Sequence, residues 1–223
     1  MVNHKVMIVV PHPDDETLGC AGTILKHIAN GDDVYCCFFT YALTEYSEGQ
    51  KKQRLEIIEK VHQAYGFKEY YNLKFLAAEL DTIPQKDLIS SFGKIVQNVQ
   101  PNIIYTVGGT DVNTDHSIVY KTVMACTKPS YTPFVRRILA YEVNSSTNWS
   151  FADGLRSFLP QYFVDITKYI DQKIEFMHFY DAEFKKSPHP RSKEGIEALA
   201  RFRGVSANLH YAEAFQVLRW IEK

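Results

Sequence analysis

The chain has little cysteine and almost no net charge, and both absences exclude classes of protein. Its 223 residues include 4 cysteines, at positions 20, 36, 37 and 126, and no pair has CxxC spacing. A framework of disulfides is therefore excluded, and we expect reduced thiols in the core. The 25 Lys and Arg residues balance 26 Asp and Glu residues. This balance leaves no global field that would attract nucleic acid or an anionic membrane.

Long hydrophobic runs are also missing. The apolar run over residues 6–10 is too short for a signal peptide and ends at a proline. No stretch approaches the roughly 20 apolar residues that span a bilayer. We therefore expect a cytoplasmic protein without membrane insertion. A length below roughly 250 residues predicts one domain over residues 1–223.

What the sequence does contain is an alternation of strand and helix patterns. Short apolar, β-branched runs predict buried strands, and amphipathic segments that end at glycine or before proline predict helices. The predicted strands cover residues 6–10, 34–40, 69–73, 103–107 and 138–143. The predicted helices cover residues 17–30, 49–65, 85–99 and 116–126, with a mainly helical end around 166–184 and 193–203. This alternation is typical of an α/β, Rossmann-like doubly wound, mostly parallel sheet flanked by helices, with strand order 3-2-1-4-5.

In this strand order the chain reverses direction between strands one and four, and a polar loop follows each of these two strands. The first is PHPDDE, residues 11–16, after strand one, and the second is TDVNTDH, residues 110–116, after strand four. Ligands of doubly wound sheets bind beyond the carboxyl ends of such strands. We therefore expect the two loops to face each other across a site.

The first loop concentrates metal-binding side chains. His12, Asp14, Asp15 and Glu16 lie within one short turn, where a bound cation is the natural counter-charge for the carboxylates. A catalytic zinc takes three protein ligands and keeps one position open, so His12 and Asp15 require a third, for which His116 on the facing loop is the candidate. The alternative is that the acidic residues cap a helix dipole and that His116 caps a helix or is exposed.

These motifs resemble the LmbE-like or PIG-L deacetylases. The match includes Pro11-His12-Pro13-Asp14-Asp15-Glu16, and residues 113–116 correspond to the family's HxDH motif. Weaker matches at 141–147, 164–166 and 189–192 are similar to a branch found in polysaccharide and glycoconjugate biosynthesis. The resemblance implies zinc-dependent removal of acetyl groups from N-acetylglucosamine-type sugars, and it suggests a homo-oligomer.

The resemblance also implies roles for single residues. His12, Asp15 and His116 would bind zinc, and Asp14 would be the general base. Because Asp14 carries a proton after this first transfer, it could also act as the acid that protonates the leaving amine. Asn113 occupies the position of a family histidine; its amide cannot transfer a proton but can donate a hydrogen bond to the oxyanion. Asp115 would either orient a metal-binding imidazole or cap the following helix.

Three further residues are candidates on weaker grounds. His189 lies between two prolines, and we expect that His189 or Arg191 either replaces the missing histidine or holds the substrate. Arg54 stands on the helix where the resembling family often carries an arginine that contacts substrate. The alternatives are a surface loop for the first two and a solvated helix residue for Arg54.

Other functions compete with deacetylation. A dinucleotide-binding enzyme is disfavoured because Gly19 and Gly22 lie within the predicted helix, and because an acidic turn repels a pyrophosphate. A metal-dependent phosphoesterase also uses clusters of Asp and His. A metal-binding carbohydrate-binding protein without catalysis is supported only by Asn113. The sequence does not identify the sugar.

Overall fold

The computed structural model describes residues 3–150 and 158–222. The strands are β1 (Lys5–Val10), β2 (Asp33–Ala42), β3 (Glu69–Leu76), β4 (Ile103–Val107), β5 (Arg137–Tyr141), β6 (Tyr162–Asp165) and β7 (Ala212–Trp220). The helices are α1 (Asp15–Ala29), α2 (Glu48–Tyr65), α3 (Gln85–Val99), α4 (Thr114–Cys126), α5 (Ile170–Met177) and α6 (Lys193–Val205). Short 3₁₀ turns occur at Leu80–Thr82 and His178–Tyr180.

All of these strands belong to one mixed sheet with the order β3-β2-β1-β4-β5-β7-β6. The first five strands in this order pair in parallel, as predicted, and they are flanked by helices. The central strand β1 is buried from its second residue onward, which agrees with its uniformly apolar sequence. The predicted fold class and the order of strands one to five are confirmed.

The C-terminal part differs from the prediction of a mainly helical end. Strand β7 pairs antiparallel with β5 and with β6, and it extends the sheet beyond its predicted edge. Strand β7 pairs with β5 because the open edge of β5 would otherwise leave backbone N–H and C=O groups without partners. The helix expected over residues 166–184 is shorter, since α5 ends at Met177 and a 3₁₀ turn follows.

Helix α1 packs very closely on the rest of the fold, and glycine makes this possible. A Cβ atom at Gly19 would lie 2.2 Å from Cδ2 of Tyr141, and one at Gly22 would lie 2.3 Å from Cγ2 of Ile166. Both distances are far below van der Waals contact, so neither position accepts a side chain without movement. The start of α1, which carries the first polar loop, is thereby fixed against the sheet.

The cysteines lie in or beside the core, as expected. Cys20, Cys36 and Cys37 are buried, Cys126 is partly buried, and all are free thiols. Within residues 3–150 and 158–222, no helix is long and apolar enough to cross a membrane.

Candidate active site

A pocket of about 410 Å³ lies at the carboxyl ends of the parallel strands. It is bordered by the turn after β1, by residues 40–43 at the end of β2, by residues 77–78 after β3, and by residues 112–115 at the start of α4. Tyr46, Arg54, Glu183 and Arg191 complete the described wall. The two polar loops therefore face each other across the predicted crevice.

Three side chains converge at one end of this pocket. Nδ1 of His12 lies 3.2 Å from Nε2 of His116 and 3.3 Å from Oδ2 of Asp15, and the same carboxylate oxygen lies 3.2 Å from Nε2 of His116. Ligand atoms about 2.0–2.2 Å from a tetrahedral ion are separated from one another by roughly 3.3 Å. The triangle therefore has the dimensions of one face of a tetrahedral metal site.

The outer nitrogens of both imidazoles face carboxylates. Nε2 of His12 lies 2.9 Å from Oδ2 of Asp115, and Nδ1 of His116 lies 2.5 Å from Oδ2 of Asp111. In a neutral ring the proton belongs on the nitrogen that faces the carboxylate. In neutral rings, the lone pairs on Nδ1 of His12 and Nε2 of His116 then point towards Oδ2 of Asp15. Three hydrogen-bond acceptors therefore meet with no donor among them.

The charges of the site favour a bound cation. Burial acts to lower the pKa of both imidazoles, but the neighbouring carboxylates have the larger effect. Asp115 and Asp15 raise the pKa of His12 to about 9. Asp15 and Asp111 raise the pKa of His116 to about 10. Burial acts to raise the pKa of Asp15, but the neighbouring imidazoles hold it below its usual range. The cluster therefore attracts positive charge, which a metal ion supplies when it displaces the protons.

One atom in the cluster has no protein partner. Oδ1 of Asp15 is buried and accepts no hydrogen bond from any residue that the structure describes. A buried carboxylate oxygen without a partner is costly, and coordination of a cation removes this cost. Two imidazole nitrogens and a carboxylate are one of the donor sets of catalytic zinc sites, so these residues fit the metal.

Asp14 lies beside the triangle in a strained backbone conformation. Its φ angle is 139°, a value that residues with a side chain rarely adopt. Its N–H donates to Oε2 of Glu16 at 3.2 Å, and its carbonyl accepts from the N–H groups of Thr17 and Leu18. These bonds fix the peptide of Asp14, which lines the pocket.

Glu16 is itself fixed by a buried hydroxyl network. Its Oε1 accepts from the hydroxyls of Tyr180 at 2.6 Å and Thr17 at 2.7 Å, and the Thr17 hydroxyl also bonds to Tyr65. Burial raises the pKa of Glu16, although the bonds from Tyr180 and Thr17 act against this effect. The network links the strained turn to the 3₁₀ turn after α5.

Arg191 is paired with the Asp14 carboxylate. Its Nη1 donates to Oδ2 of Asp14 at 2.7 Å and to Glu183 at 3.1 Å, while its Nε donates to the hydroxyl of Ser145. Burial raises the pKa of Asp14 to about 8, although the charge of Arg191 acts to lower it. A negative charge on Asp14 is therefore costly at this buried position. Arg191 therefore lines the pocket as a bonded partner of Asp14.

The remaining candidates occupy different positions. Asn113 lines the pocket and caps α4, because its Oδ1 accepts from the N–H of Asp115 at 3.0 Å. His189 is not part of the pocket wall; its Nδ1 accepts from the N–H of Arg191, and its ring contacts Trp149 edge-on. Arg54 lines the pocket from α2. The structure thus brings every predicted site residue except His189 to the pocket or to the cluster of His12, Asp15 and His116 at its end.

The family model described as PIG-L: GlcNAc-PI de-N-acetylase matches residues 7–127, which is more than half of the chain. This chain belongs to the PIG-L family. The matched region contains both polar loops. It therefore also contains His12, Asp15 and His116, whose ligand atoms form the donor triangle.

Solved structures share the fold of this PIG-L protein. The N,N'-diacetylchitobiose deacetylase from Pyrococcus horikoshii, complexed with its inhibitor MPG, matches with a TM-score of 0.79 and 20% identity over 97% of this chain and 84% of that one. The conserved protein TT1542 from Thermus thermophilus matches with a TM-score of 0.78 and 22% identity, over 99% and 97% of the two chains.

A third structural match belongs to a different reaction class. GalB, the 4-carboxy-2-hydroxymuconate hydratase from Pseudomonas putida KT2440, has a TM-score of 0.75 and 18% identity, over 99% of both chains. The shared fold alone therefore does not determine the reaction, and the function of this PIG-L protein must be argued from its own site.

Sequence reasoning missed three residues that the site of this PIG-L protein uses. Asp111 lies in the second polar loop, five residues before His116, and this spacing was a usable signal. Glu183 and Tyr180 reach the site from the C-terminal part of the chain, where no local motif marks them.

Proposed function

We propose that this protein is a zinc-dependent N-deacetylase, which hydrolyses the acetamide of an N-acetylglucosamine-type sugar or glycoconjugate to acetate and a free amine. The observation that carries the proposal is the donor triangle of His12, Asp15 and His116 with the Asp14 carboxylate beside it in one pocket. Membership in a de-N-acetylase family supports the reaction class.

His12, Asp15 and His116 would hold the zinc, and Asp111 and Asp115 would keep the two imidazoles oriented. A zinc ion held there would supply Lewis acidity for the amide carbonyl and would lower the pKa of water towards about 7. The protein's own groups perform the proton transfers and orient the substrate.

Asp14 is the proposed base and acid. Its carboxylate accepts the proton of the water that attacks the acetamide carbon, and it then gives this proton to the nitrogen as the C–N bond breaks. Arg191 fixes the Asp14 side chain through the 2.7 Å bond to Oδ2. One carboxylate can therefore serve both steps, which removes the need for a histidine at position 113.

Asn113 is the proposed donor to the oxyanion. Its Oδ1 is occupied by the N–H of Asp115, so its amide nitrogen is the group left to donate into the pocket that it lines. His189 has no proposed contact with the substrate, because it lies outside the wall and supports the Arg191 backbone. Arg191 and Arg54 remain the proposed substrate-side cations.

The test measures zinc content and acetate release for the natural protein and for Asp14→Asn, with Asp171→Asn on the exposed face of α5 as a control. Substrates are N-acetylglucosamine, N,N'-diacetylchitobiose and a nucleotide-linked N-acetylglucosamine. We expect about one zinc per chain in all three proteins and turnover that falls by about 10²–10⁴-fold in Asp14→Asn alone.

Other results discriminate among the alternatives. Zinc binding without acetate release on the whole panel would favour a binding protein, for which Asn113→His is the next variant. Release of phosphate from phosphorylated sugars, with acetate retained, would favour a phosphoesterase. Absence of zinc binding would overturn the proposal.

A further inference from the structure

A buried ion pair from the C-terminal part of the chain contacts the middle of α1. Lys173 of α5 and Glu213 of β7 are each 4% exposed, and Nζ of Lys173 donates to Oε1 of Glu213 at 2.7 Å. The same Nζ donates to the carbonyl of Leu18 at 2.7 Å. Oε1 of Glu213 accepts from the N–H of Gly22 at 3.0 Å, and Oε2 accepts from the N–H and the hydroxyl of Thr23 at 2.8 and 2.6 Å. The pair therefore bonds to both ends of one turn of α1.

The backbone of α1 does not need these partners. In a regular α-helix the N–H of Gly22 donates to the carbonyl of Leu18, so the two groups satisfy each other within the helix. Burial of two opposite charges carries a large desolvation cost, and apolar residues of similar volume often stabilise a protein as well as the ion pair does. Stability alone therefore does not account for the pair. Apolar residues cannot supply directed hydrogen bonds to α1.

The directions of these bonds fix α1 along its axis. The N–H groups of a helix point towards its N-terminus and its carbonyl groups point towards its C-terminus. A shift of α1 towards its C-terminus would therefore stretch the bonds to Glu213, and a shift the other way would stretch the bond from Lys173. The close contacts at Gly19 and Gly22 limit how near α1 lies to its neighbours, but they do not set its position along the axis.

This position matters most at the first residue of α1. Asp15 begins the helix, one turn before the carbonyl that Lys173 contacts. Its Oδ2 lies 3.2 Å from Nε2 of His116, which belongs to α4, so a movement of α1 changes the distance between the two proposed ligands. A metal site requires its ligands within about 0.5 Å of the productive geometry, and one residue of helix already rises by about 1.5 Å.

We infer that Lys173 and Glu213 are positioning residues, which set α1 along its axis so that Asp15 meets the two imidazoles of the proposed metal site. This inference rests on the proposed function for the identity of the bound metal. The position of α1 itself rests on the hydrogen bonds that the pair makes with the helix.

The test replaces the whole pair, because a single substitution would leave one buried charge unpaired. Lys173→Met/Glu213→Leu removes both charges and their bonds to α1, whereas Lys173→Met/Glu213→Gln keeps an acceptor oxygen for the helix. The matched control is Arg203→Met/Glu142→Leu. There Arg203 donates from Nε and Nη2 to the two oxygens of Glu142 at 2.7 Å, and neither side chain has a hydrogen bond to α1 in the described parts of the chain.

Competition with a chelating dye measures zinc affinity, and thermal unfolding of the metal-free proteins measures stability. We expect Lys173→Met/Glu213→Leu to lose about tenfold or more in zinc affinity, as for the loss of a group that orients a metal ligand. Its Tm should fall no further than that of the control, which should keep the zinc affinity of the natural protein. Lys173→Met/Glu213→Gln should recover part of the lost affinity, because one acceptor for α1 remains.

Hydrogen exchange gives a reading that does not use the metal. In the metal-free proteins we expect the amides of residues 15–24 to exchange faster in Lys173→Met/Glu213→Leu than in the natural protein, with no such change in the control.

Three results would overturn the inference: natural zinc affinity in Lys173→Met/Glu213→Leu, the same loss of affinity in the control, or a loss that only follows Tm across all the variants. Absence of zinc binding by the natural protein would reject the proposed function instead. Faster exchange of residues 15–24 would then retain the role of the pair in fixing α1, and unchanged exchange would reject that role as well.

Discussion

Helices α1 and α2 both contribute to the pocket, but they are built in opposite ways. Every residue of α1 from Asp15 to Ile24 is buried, whereas only Ile58, Val61 and Tyr65 are buried in α2. The proposed metal donors need positions fixed within fractions of an ångström, and for Asp15 the close packing of α1 provides this. The solvent-facing α2 contributes Arg54 to the pocket wall.

The largest effect is expected from removing the carboxylate that α1 contributes to the proposed metal site. Asp15→Asn keeps the shape of the side chain but removes the negative charge between the two imidazoles. We expect zinc affinity to fall by more than about 100-fold, beyond the range for losing an outer partner. Competition with a chelating dye measures this loss, with Lys52→Gln on α2 expected to leave affinity unchanged.

Retention of affinity within about tenfold in Asp15→Asn would mean that Asp15 is not a ligand. The donor set would then need another carboxylate, and Asp14 is the nearest candidate in the same turn. Thermal unfolding of the metal-free variant separates this outcome from a failure to fold.

A smaller effect is expected when a carboxylate behind an imidazole is removed. Asp111→Ala takes away the acceptor that lies 2.5 Å from Nδ1 of His116. The imidazole then loses its fixed orientation and tautomer, so zinc affinity should fall by about 10–100-fold. Asp111→Asn retains an acceptor and should lose less. Equal affinity in both variants and the natural protein would show that Asp111 does not orient His116.

The parts of the site that the sequence predicted are those carried by loops at neighbouring strand ends. The topology of a parallel sheet brings PHPDDE and TDVNTDH together whatever the details of the packing, so His12, Asp15 and His116 were predictable as a group. Glu183 and Tyr180 were not predictable, because their places depend on how the segment after α5 folds back over the sheet.

The strands likewise divide into those that local sequence patterns predict and those that they do not. Strands β1, β2, β4 and β5 follow from local patterns, since buried parallel strands read as short apolar runs. Strand β3 is only partly buried and has a weaker pattern. Strand β7 reads AEAFQVLRW, with polar residues at several positions, and its partner β6 has only 4 residues. Their pairing at the edge of β5 is a tertiary event, and no tight hairpin turn joins them in sequence.

The packing of the two helices can also be compared by replacing one glycine in each with alanine and measuring the free energy of unfolding. In Gly19→Ala the new methyl group would overlap Tyr141, which is fully buried and donates its hydroxyl to the carbonyl of Val9 at 2.7 Å. Because this ring has no free space to move into, we expect a loss of about 1–3 kcal/mol in the free energy of unfolding, measured with urea.

Gly49→Ala in α2 is the matched substitution with the opposite expected sign. The nearest atom to the added Cβ is Oγ of Ser47 at 3.9 Å, so the methyl group meets no obstacle. Alanine also loses less conformational freedom in a helix, and the gain should be up to about 1 kcal/mol. A similar change in both variants would mean that α1 can shift on the sheet. The position of Asp15 would then depend on the bound metal rather than on the packing of α1.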